Sequence, residues 1–491
     1  MIQAAPLPKM ITIASQERPL LAALGALALI RLCAIILTPL EFGVDEAQYW
    51  LWGQALDFGY YSKPPLIGWY LGLMDSLFGA STIAARAATP FIHLGIALIL
   101  FAIAWRYHSP SAGRWAALLW MSLPIVSLGS FVISTDTLLL LPWALALLVF
   151  FEAQTTQDDR LYFRAGLIIG IGLLAKYAAI YFIIGCALSL ALPTNRPLTE
   201  RLRAFCLLLA GALITSAPNL IWNLYHGGIT FAHLGENADL AAPLYSFENA
   251  FEFFISQSAV IGPVAFIMFA ACLMRRNRLA NSAFIKMLLC FSLPVLIIMT
   301  IQAYLKTANA NWAATAWPTA CIVIGCALAQ DGKTQLISSF WGKLALSVNV
   351  FAALLISFGV AAGHMGALTP ASDPLRRLRG WQELATDTIA IAERYNITTI
   401  IADRRAEAAL LSWHLHDSAF SVKVFDEDNR PGSHFELNHA LSPMDKGPFL
   451  LLTGRDGARP SAFVDATGPV GESITQISDK RTRHKVFFIV K

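Results

Sequence analysis

Asp45 and Glu46 stand side by side just after the first apolar stretch and are followed closely by Tyr49, Trp50 and Trp52. A carboxylate held at a membrane surface can act as a general base. Lys63 comes next, and Pro64 and Pro65 stiffen the chain behind it, so an ammonium is presented where an anionic phosphate can meet it. Taken alone, Lys63 reads better as an interfacial lysine reaching toward water. Further polar residues recur in the short breaks between apolar stretches: Asp136, Lys176, His226, His233, Glu236, and Lys306 with Asn309 and Asn311. Ionisable groups at a bilayer boundary are costly unless paired or hydrated, so their gathering on one side of the membrane points to a single polar cavity. His226, His233 and Glu236 share one loop, but the seven-residue spacing of the histidines gives only weak support to a divalent metal. A structural or acceptor-facing role is the better reading for these three.

The elements that must carry these groups are apolar. Of 491 residues, 56% are hydrophobic and 14% charged, with a mean hydropathy of +0.57, which sets the chain apart from ordinary soluble enzymes and makes it a membrane protein. Crossing the hydrocarbon takes roughly 20 apolar residues. Such stretches occur at about 19–40, 84–105, 114–131, 137–151, 165–192, 204–222, 251–274, 284–304, 312–330 and 341–363. The stretch 165–192 is long for one crossing and short for two, and it contains Lys176. If it turns back at Lys176, fourteen lysines and arginines gather on one side, while Lys63, Lys176 and Lys306 are left on the other, with Arg86 at the boundary. The enrichment of cytoplasmic loops in basic residues therefore predicts eleven crossings with the N-terminus inside. No cleavable signal peptide is expected, because Arg31 interrupts the first apolar run. The seven cysteines all lie in apolar stretches, so no disulfide framework is implied.

The balance changes after residue 363. Residues 364–491 hold 16 basic and 16 acidic side chains, as a water-compatible domain would. Helical spacing runs from Trp381 to Tyr395 and again from Arg405 to Leu415, and Thr398–Ala402, 419–425, 448–453 and 485–490 read as strands. The expected architecture is mainly α: a polytopic transmembrane domain over 1–363, with two short amphipathic helices in the exterior loop 41–83, and a small α/β domain over 364–491. Asp403-Arg404-Arg405 at a strand end reads as a solvated loop, with an acceptor contact as the alternative. Neither a dinucleotide fingerprint nor a nucleophile elbow is present. Nucleic-acid binding has no support, since the tail carries no basic run.

The loop motifs, Asp45-Glu46, Tyr60-Tyr61-Ser62-Lys63-Pro64-Pro65-Leu66, Leu77-Phe78-Gly79 and Ala85-Arg86, resemble the first periplasmic loop of the protein O-mannosyltransferase-like GT-C glycosyltransferases, among them the bacterial enzymes that put aminoarabinose on lipid A. The likeness continues through Ser134-Thr135-Asp136, Gly172-Leu173-Leu174-Ala175-Lys176 and the exterior domain. It implies that Asp45 is the catalytic carboxylate, with Glu46 beside it and Asp136 a second acidic member. It makes Lys63, Arg86, Lys176 and Lys306 candidates for the phosphate of a polyprenyl-phosphate sugar donor; beside them, Tyr61, His226, His233, Glu236 and Asn311 are read from the residues themselves as candidates for substrate contact. The acceptor it implies is an envelope glycolipid such as lipid A, a glycan or a protein, and the place a bacterial inner membrane with the active site and C-terminal domain periplasmic. Displacement in one step would invert the anomeric centre. Two departures, Lys176-Tyr177 where Lys-Gly is common and Lys306 to Trp312 before a later crossing, suggest a subgroup with its own acceptor. A polyprenyl-lipid transporter or flippase, or a non-catalytic envelope scaffold, is the competing reading.

Overall fold

The computed structural model describes residues 16–238, 245–274, 282–329, 337–365, 373–427, 431–454, 456–478 and 481–491, without the side chains of 234 and 236–238. The chain divides into two compact units, one of Met1–Ile35 with Arg86–Phe358, the other of Ile36–Ala85 with Gly359–Lys491. The loop 41–83 therefore folds with the C-terminal segment, which a division at residue 363 does not express.

Seven described helices are long and apolar enough to cross a membrane: Arg18–Leu37, Thr82–Tyr107, Thr135–Thr156, Leu198–Tyr225, Ala283–Leu305, Ala310–Leu328 and Ser339–Ala362. The other four expected crossings fall on shorter or broken helices. Pro110–Ser122 and Pro124–Gly129 are separated at Leu123, where proline restricts the residue before it. Asp159–Ala175 and Ile180–Ala191 are separated at Lys176, whose backbone is extended. Phe247–Ile261 and Pro263–Met274 meet at 114°. That bend has a local cause: Gly262 has φ +89°, and a side chain there would collide with Asn349. Asn349 is buried and its amide donates to the Ile261 carbonyl at 2.9 Å, satisfying a group that the bend releases. Elsewhere, glycine brings backbones together. A Cβ at Gly166 would lie 2.1 Å from the Leu208 carbonyl oxygen, so helices Asp159–Ala175 and Leu198–Tyr225 approach as small residues allow in a membrane.

In the second unit, the loop carries helices Val44–Gln54 and Leu66–Phe78. Trp50 Nε1 donates to Asp75 at 3.0 Å and ties one to the other. The sheet contains β1 (Thr399–Ala402), β2 (Ser421–Val424), β3 (Phe449–Gly454), β4 (Thr467–Ser478) and β5 (Arg481–Val490), in the order β2-β1-β3-β5-β4. β1 pairs in parallel with β2 and β3, and β5 runs antiparallel to β3 and β4. Ile401, Phe449, Leu451, Phe463, Val486 and Phe488 form the core on one face. Helix Trp381–Arg394 begins at Gly380, and the carboxylate of Glu41 accepts from the backbone N–H groups of Gly380, Trp381 and Gln382 at 3.2, 2.8 and 3.2 Å. Three donors orphaned at a helix start are thus satisfied by a residue more than 300 positions earlier.

Trp52 stacks on Tyr60 with centroids 4.6 Å apart, and the His434 ring meets Trp52 edge-on at 5.6 Å. Burial, with His439 and Arg405 adding to it, lowers His434 from 6.5 to about 3. The unfolded chain therefore binds a proton between those values that the folded one refuses. His434 contributes stability that is fully present above 6.5 and is lost progressively as pH falls toward about 3. Melting followed by tryptophan fluorescence is expected to show stability falling by up to about 1.4 kcal/mol per pH unit through this window. His434→Gln is expected to flatten that slope, and an unchanged slope would remove His434 as its source.

Candidate active site

The first unit brings three of the expected residues together. Ser134 accepts from the Thr137 N–H and caps helix Thr135–Thr156, which places Asp136 in its first turn, where the helix dipole favours a carboxylate. Lys176, in the break after Ala175, donates to Asp136 Oδ1 at 2.7 Å. The Asn311 amide donates to Asp136 Oδ2 at 3.2 Å. Lysine and aspartate side chains are 22% and 17% exposed, so the pair is shielded but reachable. An ammonium held this way keeps protons for a phosphate while its charge is balanced.

Tyr177, one of the departures from the family pattern, has a structural explanation. Its hydroxyl donates to Asn219 Oδ1 at 2.7 Å and accepts from Asn223 at 3.1 Å, while its ring stacks on Phe231 with centroids 5.0 Å apart. It fixes the segment following Lys176 to the long helix Leu198–Tyr225. Glycine could do none of this.

The remaining candidates of this unit lie on other helices or at their ends. Arg86 is buried, and its carbonyl accepts from Thr89. Lys306 ends helix Ala283–Leu305, its carbonyl accepting from Asn249 at 2.7 Å. His226 folds onto its own helix, with Nδ1 2.8 Å from the Trp222 carbonyl and its ring stacked on Trp222. His233 lies in helix Ile229–Ala238, and the side chain of Glu236 is outside the described residues. Among the described residues no three histidine, cysteine or carboxylate side chains cluster as metal ligands would.

The second unit holds the other carboxylates. Glu46 is buried and its Oε2 accepts from the Gly43 N–H at 2.9 Å, so it closes the start of helix Val44–Gln54. Tyr61 is buried beside Lys63, whose carbonyl accepts from the Tyr60 N–H at 3.1 Å. Asp45 points the other way and is 63% exposed. Its carboxylate accepts from Nη2 of Arg405, and Arg405 Nε donates to Gln48 Oε1 at 2.5 Å, one turn further along the same helix. The sequence offered Arg405 chiefly as part of a solvated loop; it sits instead against the candidate base. It is held there by its surroundings: Lys485 on β5 reaches Glu407 at 2.6 Å and Asp403 at 3.4 Å, bracketing the turn that carries it. At the far end of helix Arg405–His414 lies a recess of about 350 Å³ whose walls include Glu41, Gln382, Trp413, His414 and His416.

The helical architecture and its small sheet domain define a multi-pass membrane protein of the GT-C glycosyltransferase type. Residues 62–222 match the family described as dolichyl-phosphate-mannose-protein mannosyltransferase. The chain is 34% identical over 423 residues to the lipid A galacturonosyltransferase RgtD of Rhizobium johnstonii, covering 85% of this chain and 86% of the relative. It therefore belongs to that family of membrane glycosyltransferases. An undecaprenyl phosphate-alpha-4-amino-4-deoxy-L-arabinose arabinosyl transferase of Shewanella sediminis is 32% identical over 132 residues, 26% of this chain and 24% of that one. The crystal structure of ArnT from Cupriavidus metallidurans bound to undecaprenyl phosphate has the same fold, with a TM-score of 0.68 at 12% identity over 95% of this chain and 97% of that chain. Family membership decides against the transporter and scaffold readings.

Proposed function

We propose that the protein moves an acidic sugar from a polyprenyl-phosphate carrier to lipid A at the periplasmic face of the bacterial inner membrane. What carries this reading is the similarity to the Rhizobium lipid A galacturonosyltransferase along most of both chains. The residues supply the chemistry. The acceptor hydroxyl attacks the anomeric carbon while the bond from that carbon to the phosphate oxygen breaks. Polyprenyl phosphate leaves with the electron pair, and the hydroxyl proton passes to Asp45. Lys176 meets the charge that develops on the departing phosphate, with Asp136 and Asn311 fixing its direction. Lys63, Arg86 and Lys306 are further candidates for holding the donor.

Intact-mass comparison of lipid A from cells with and without the gene tests the reading. The expected result is loss of one hexuronosyl mass per lipid A in the deletion, restored by the intact gene. Unchanged lipid A, with a sugar missing from another glycan or from a protein, would overturn the choice of acceptor.

A further inference from the structure

We infer that Arg405 is the residue that reads the acidic group of the transferred sugar, an inference resting on the donor proposed above. Two observations carry it. The guanidinium is anchored on one side only, with Nε on Gln48 and Nη2 on Asp45, and no described residue occupies Nη1. Its side chain remains 44% exposed, so the edge formed by Nη1 and Nη2 faces outward beside the candidate base. A guanidinium edge matches a carboxylate through two parallel hydrogen bonds, a geometry that neither a hydroxymethyl nor an amine reproduces.

The position relative to Asp45 gives this contact a purpose. In a hexuronic acid the carboxylate is borne by C5, and C5 is joined through the ring oxygen to C1, where the bond to phosphate breaks. Fixing the carboxylate on Arg405 therefore brings C1 next to the side chain that Arg405 already holds. Binding and proton removal share one scaffold, since Asp45 and Gln48 lie a turn apart on helix Val44–Gln54 and both engage the same guanidinium. The bracket of Lys485, Glu407 and Asp403 keeps that guanidinium from following the substrate away.

The test uses the full-length enzyme in lipid nanodiscs with two donors that differ in one group, galacturonosyl- and galactosyl-phosphoryl polyprenol, and lipid A as acceptor. The wild type is expected to favour the acidic donor by about a hundredfold in kcat/KM, the size of a lost charged hydrogen-bonding pair. Arg405→Met is expected to slow transfer from both donors, because Asp45 loses its partner, but to slow the acidic one at least about tenfold more, so that most of the preference is lost. Arg405→Lys, which keeps the charge without the fork, is expected to fall between them and decides the matter if the methionine variant does not fold. Equal losses on both donors in either variant would reduce Arg405 to a support for Asp45 and overturn the inference. So would a wild type that uses both donors equally well, which leaves the transferase reading standing. A wild type that transfers from neither donor would overturn the transferase reading as well.

Discussion

Asp45→Asn is expected to lower transfer to lipid A by about 10²–10⁴-fold, the range typical of a lost general base, while the protein retains its fold. The side chain is 63% exposed, so an amide of equal size is readily accommodated. Its carbonyl oxygen still accepts from Arg405, which preserves that contact beside the one Arg405 makes to Gln48. What disappears is the capacity to take a proton. The loss should therefore appear in kcat with KM for the donor little altered, and the melting temperature should stay that of the wild type. A variant with full activity would remove Asp45 from proton transfer. A variant with a depressed melting temperature would assign Asp45 to structure. Glu46→Gln is a useful contrast, because its carboxylate is buried against the Gly43 N–H and its effect should be on stability.

Lys176→Met is expected to reduce kcat by about 10²–10³-fold, as removal of a preorganised donor to a developing anion does. The variant also strips Asp136 of its 2.7 Å partner, leaving a shielded carboxylate held by Asn311 alone. A negative charge without its counter-ion would repel the donor phosphate. Adding Asp136→Asn to Lys176→Met should then cost nothing further and recover part of the donor affinity. Independent losses from the two substitutions in a double-mutant cycle would show that the pair does not act as a unit. Lys176→Arg, which keeps the charge, is expected to retain more activity than the methionine variant.

Much of this architecture is legible in the chain. Long apolar runs report spans, because a bilayer demands unbroken helices and their composition has no other explanation. The break at Lys176 shows as a charge inside a run too long for one crossing. Asp136 and Lys176 were each visible as a charge at a span end; that they touch was not, since they lie 40 positions apart on either side of a helix–turn–helix pair. β4 was missed: it is largely exposed along its outer side, contains Gly468, Pro469 and Gly471, and so lacks the continuous apolar run that marks β3. Arg405 was hidden for a different reason. Its partner Asp45 lies 360 positions earlier, and nothing in Asp403-Arg404-Arg405 distinguishes a solvated turn from one folded against the first loop. The structural role of Glu46 had a signal that went unread, since a glutamate three residues after Gly43 at a helix start is the second half of a capping box.

The seating of Glu41 on the start of helix Trp381–Arg394 has a consequence for the life of a newly made chain. Residues 36–85 are synthesised long before 359–491, yet the two segments complete one unit. Until the last part of the polypeptide has been made, Asp45 has no Arg405 beside it and Glu41 has no helix to cap. The pairing of Asp45 with Arg405 is thus timed by translation: every described span is synthesised before the partner that completes it.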